Sequence, residues 1–168
     1  MNISLKKILY ILMVLFFQCL LDNYADLGLY LRIVIIPFVI LMLPYRYKTI
    51  STMIIAFLLG LTVDIFTSGV LGLNAGAMTA VAFVRQKVLH SILDERNMER
   101  HDSPDYIVLG LGKGLFYVMF HYIVFFTAYT LLDNMGFAPF GLTLSKILLS
   151  TAVSGLIALW SLKKYKKI

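Results

Sequence analysis

Charge and cysteine are both scarce in this chain. Asp, Glu, Lys and Arg make up 14% of its 168 residues, against about 25% in a soluble domain. So few ionic groups cannot cover a globular surface. The single cysteine, Cys19, excludes an internal disulfide. No cluster with zinc-ligand spacing, no G-x-S-x-G elbow and no H-E-x-x-H helix occurs. Gly110-Leu111-Gly112-Lys113-Gly114 imitates a nucleotide loop, but its spacing is wrong and no Ser or Thr follows the lysine. Paired carboxylates inside the apolar segments are also lacking. These absences argue against an enzyme, a cofactor and a metal. No nucleic-acid motif accompanies the net charge of +6, so the charge reads as cytoplasmic loop bias and contact with anionic membrane lipid.

What the chain does have is apolar length. Hydrophobic residues make up 60% of it, and mean hydropathy is +0.86. Six apolar segments stand out, at about 5–21, 27–43, 50–66, 74–84, 106–132 and 141–162. Each except the fourth approaches the roughly 17–25 residues of a membrane-spanning helix. The fourth reaches that length only if Arg85 and Lys87 snorkel and the helix runs on. Val88, Leu89, Ile92 and Leu93 have the spacing to continue it as an amphipathic piece. The second segment is interrupted by Arg32 and Pro37. Lys6-Lys7 before the first apolar run imitates a signal peptide, but no small-residue cleavage site follows, so the segment reads as an anchor.

Basic residues orient the segments. Lys6 and Lys7, then Arg46 and Lys48, then Arg85, Lys87, Arg96 and Arg100, then the four lysines at 163–167 fall on alternate sides. The intervening loops 22–26, 67–73 and 133–140 contain no Lys or Arg. This is a positive-inside pattern with both termini cytoplasmic. The expected fold is all-α and polytopic, one domain over 1–168, built as a six-transmembrane-helix bundle in the cell inner membrane. The largest cytoplasmic loop, carrying Arg85, Lys87, Arg96 and Arg100, is a candidate partner surface.

The chain is organised around 57–84, where one carboxylate, Asp64, lies within an apolar run. A lone Asp costs roughly 2.5–3.5 kcal/mol in a bilayer on insertion scales, so it needs a partner. Depth counting puts Arg32 and Lys146 in the same half of the membrane as Asp64. Arg32 is the preferred partner because its planar fork suits a carboxylate, with Lys146 second. A structural ion pair is the expectation. A polar ligand pocket or proton-coupled carrier, and an Asp capping its own turn, remain the alternatives. Gly60, Gly69, Gly72, Asn74 and Gly76 mark a tight hairpin with close helix packing. Gly110 and Gly114 are read as a second small-residue contact. His121 is read as a core hydrogen bond, and Lys113 as snorkelling.

The run Gly60-Leu61-Thr62-Val63-Asp64, then Gly69-Val70-Leu71-Gly72-Leu73-Asn74-Ala75, resembles the signature of the rod shape-determining protein MreD family. Val70 stands where that family has a turn proline, and Asn74 where a His or Gln is common. The resemblance implies a bacterial cell-shape scaffold of the elongation machinery. Such a protein acts with the bitopic protein MreC, the actin-like MreB and the glycosyltransferase/transpeptidase complex of lateral peptidoglycan synthesis. It also implies a helix arrangement similar to the substrate-binding subunits of energy-coupling-factor transporters. On that analogy the runner-up function is a small-molecule-binding membrane subunit of a transporter.

Overall fold

The computed structural model describes residues 5–24, 31–67, 70–104, 106–136 and 139–164. Every regular element among them is helical: α1 (Leu5–Tyr24), α2 (Pro37–Leu41), α3 (Thr49–Phe66), α4 (Leu73–Ile92), α5 (Glu95–Arg100), α6 (Tyr106–Asp133) and α7 (Phe140–Lys164). Three helices, Thr49–Phe66, Val108–Asp133 and Phe140–Lys163, are long and apolar enough to cross a membrane. Leu9–Tyr24 is a shorter apolar helix. α4 does continue past Val84, with Leu89 and Leu93 buried at its far end.

The second apolar segment departs from the six-helix expectation. Its described part is not one long helix. Residues 31–35 form no regular secondary structure, and α2 is five residues long with Pro37 opening it. Proline fixes φ and disfavours helix in the residue before it, so it starts a helix readily and continues one poorly. The whole of α2 is buried. Non-helical backbone inside the fold is tolerable only where protein groups take up its N–H and C=O. Here side chains of α1 and α7 do so. Gln18 donates to the Ile33 carbonyl at 3.2 Å and accepts from the Ile35 N–H at 2.7 Å. Ser150 and Ser154 accept from the N–H groups of Arg32 and Val34 at 2.9 and 3.0 Å.

The core gathers α2, α4 and α6, with Phe38, Ile40, Val81, Tyr117, Tyr122 and Phe125 all fully buried. Gln18, Asp64, Asn74, Arg85, His121, Ser150 and Ser154 are inside as well. Leu9, Phe16, Leu58, Leu115, Leu148 and Trp160 are exposed. Polar groups within and large apolar groups without is the reverse of a water-soluble surface.

Close packing is set by small residues. A Cβ on Gly60 would lie 2.5 Å from the Ala75 Cα, so α3 and α4 touch backbone to backbone. A Cβ on Gly76 would meet only the Leu132 side chain of α6, and one on Gly155 only that of Met119. The expected Gly110–Gly114 helix contact is not what forms. Gly110 has φ 67° and ψ 179°, which interrupts α6 near its start, a conformation glycine adopts without a Cβ penalty.

Candidate functional site

The ends of α1, α3 and α6 and the starts of α4 and α7 meet at what we term the turn end. Asp64 lies in the last turn of α3 and is 3% exposed. Its Oδ1 accepts from the Asn74 N–H at 3.0 Å and from Asn74 Nδ2 at 2.9 Å. Its Oδ2 accepts from the N–H groups of Gly72 at 2.9 Å and Ala75 at 3.1 Å. The first turn of any helix leaves N–H groups without intrahelical acceptors. Asp64 serves those of α4 from the preceding helix, where the helix dipole also favours a negative group. Gly72 takes φ 102° to bring the chain round.

The expected Asp64–Arg32 ion pair is therefore corrected. Arg32 pairs with Asp22 in a two-point contact, Nε to Oδ1 at 3.3 Å and Nη2 to Oδ2 at 3.2 Å. Its guanidinium lies 4.1 Å from the centre of the Tyr129 ring. Lys146, the second candidate, pairs with Asp133 at 3.4 Å. The reason is competition. Four donors from the turn already occupy both oxygens of Asp64, while Asp22, at the end of α1, offers its free carboxylate to the guanidinium fork. The two predicted residues still meet through an intermediary: Asn74 donates to Asp64 and accepts from Arg32 Nη2 at 3.5 Å. Asn23 adds a bond from Nδ2 to the Phe66 carbonyl at 3.1 Å, closing the end of α3.

Of the hairpin residues, Gly60, Gly72, Asn74 and Gly76 come together here, and Gly69 lies outside the described residues. Asp22, Gln18, Tyr129, Ser150 and Ser154 were not singled out from sequence. The spacing of Ser150 and Ser154 on one face of an apolar helix was the available signal.

Of the expected loop cluster, only Arg85 departs. Arg85 is within α4 and 0% exposed. It does not snorkel; its Nη2 donates to the Leu43 carbonyl just beyond α2. Tyr117 donates to the Leu41 carbonyl at 3.1 Å. Tyr117 thus satisfies the last carbonyl of a short buried helix, and Arg85 a carbonyl two residues beyond it. Arg85 Nε and Nη1 have no acceptor. Lys87 is exposed, 5.1 Å from the centre of the Phe83 ring. Arg96 and Arg100 are exposed on α5. His121 is fully buried, with Nδ1 2.6 Å from the Tyr117 carbonyl. Lys113 is exposed.

The turn-end network is a set of mutual hydrogen bonds and ion pairs, suited to fixing helices against one another. No group of three or more His, Cys, Asp or Glu able to hold a metal occurs among the described residues. No family model, curated protein or solved structure matches the chain.

Proposed function

We propose that the chain is a multi-pass inner-membrane scaffold of the MreD kind, which holds an MreC-like bitopic protein and helps to organise lateral peptidoglycan synthesis without chemistry of its own. The turn end faces outward and the opposite end faces the cytoplasm, with both termini there. One observation carries the reading: both oxygens of Asp64 are committed to the turn. A carboxylate used in this way has little capacity left for a ligand or a travelling proton, so the most distinctive polar residue serves rigidity. The basic residues of the cytoplasmic end, with apolar side chains facing outward around the bundle, support the membrane placement.

Purification from native membranes followed by mass spectrometry tests this. The expected partner is a single-pass protein with a periplasmic coiled coil. A stoichiometric pair of ATPases, or a tightly retained small molecule, would overturn the scaffold in favour of a transporter subunit.

A further inference from the structure

We propose that α4 and α6 enclose a buried hydration site, in which water accepts from Arg85 and donates to His121. The inference is independent of the scaffold reading, because it needs only the packing of these helices.

The end of α2 and one aromatic ring draw the residues together. Arg85 of α4 donates to the Leu43 carbonyl. Tyr117 of α6 donates to the Leu41 carbonyl, two residues earlier, at 3.1 Å. The Tyr117 hydroxyl lies beside the Arg85 guanidinium. His121, one turn further along α6, sets its ring 4.6 Å from that of Tyr117, centre to centre. It is also within electrostatic range of Arg85. All three side chains are fully buried.

Hydrogen-bond chemistry selects the occupant. Among the described residues, Nε and Nη1 of Arg85 are donors without an acceptor. His121 Nε2 is likewise without a partner. Its Nδ1 lies 2.6 Å from the Tyr117 carbonyl. A carbonyl only accepts, so Nδ1 carries the proton, and in the neutral ring Nε2 is left as an acceptor. The site therefore offers surplus donors on one side and a bare acceptor on the other. A simple anion answers the first and is repelled by the second. An apolar group answers neither. Water does both, and buried polar groups that lack protein partners are its usual lodging.

The test is hydroxyl-radical footprinting of the full chain in detergent, with radicals made by X-ray radiolysis of water and products read by mass spectrometry. Buried side chains are modified in this way where trapped water touches them. Phe125, equally buried and one turn on from His121, is the internal control. In the wild type, His121 is expected to be modified several-fold faster than Phe125. Arg85→Met, unbranched like arginine but without its donors, should bring His121 down to the Phe125 rate. Equal rates in the wild type overturn the site, whether or not the variant folds. An unchanged His121 rate in the folded variant also overturns it. Thermal unfolding in chloride against gluconate, at equal ionic strength, separates water from an ion. The wild type should unfold alike in both. Stabilisation by chloride that Arg85→Met abolishes would put an anion in the site and overturn the proposal.

Discussion

Each end of the bundle encloses a charged side chain, and the two are treated in opposite ways. Asp64, at the turn end, accepts four hydrogen bonds. Arg85, toward the other end, is buried more completely; it donates to the Leu43 carbonyl and lies beside the Tyr117 hydroxyl, yet Nε and Nη1 find no acceptor among the described residues. The acid is saturated because a helix must begin beside it, and a helix start supplies surplus donors. The guanidinium answers one described carbonyl, that of Leu43 just past a short helix, and has more donors than that carbonyl needs. A buried charge is therefore integral where the backbone around it has no other partner.

The largest expected effect is at the acid. Asp64→Leu leaves three buried N–H groups without acceptors and should cost on the order of 4 kcal/mol. Thermal unfolding in detergent would register this as loss of folded protein. Exchanging charges, Asp64→Arg with Arg32→Asp, should not restore it; recovery would return the direct ion pair to favour. Gly60→Ala comes next, at about 3 kcal/mol, the upper range for overpacking, because its Cβ meets backbone and not a flexible side chain. The matching change Gly76→Ala meets only Leu132 and should fall below about 1 kcal/mol.

Gln18→Leu removes both bonds to the segment before α2 and should cost about 2 kcal/mol in the same assay. The smallest effect sharpens the contrast most. Arg85→Met deletes a buried charge along with one hydrogen bond, so stability should stay within about 1 kcal/mol of the wild type. A loss as large as that of Asp64→Leu would show that Arg85 has a neutralising partner.

Much of the helical layout was legible in the chain. Apolar runs at 50–66 and 106–132 predicted α3 and α6, since length and hydropathy are local properties. The hairpin glycines and Asn74 were legible for the same reason: a turn is built from adjacent residues. The partner of Asp64 was legible only as the lesser alternative, an Asp capping its own turn. Depth counting ranks Arg32 and Lys146 as candidates but ignores donors that the turn itself provides. Arg85 was misplaced because a basic residue after an apolar run looks like a boundary. Only its neighbours reveal that it points inward to Leu43.

Composition and periodicity alone determined that this chain is helical, apolar on its outside and bent at a glycine-rich turn between α3 and α4. Those features depend on residues near one another along the chain. Tertiary structure alone decided which acid meets which base, and that side chains of α1 and α7 hold the backbone of residues 31–35. Such choices depend on distant groups competing for the same hydrogen bonds, and that competition is settled only once the helices have packed.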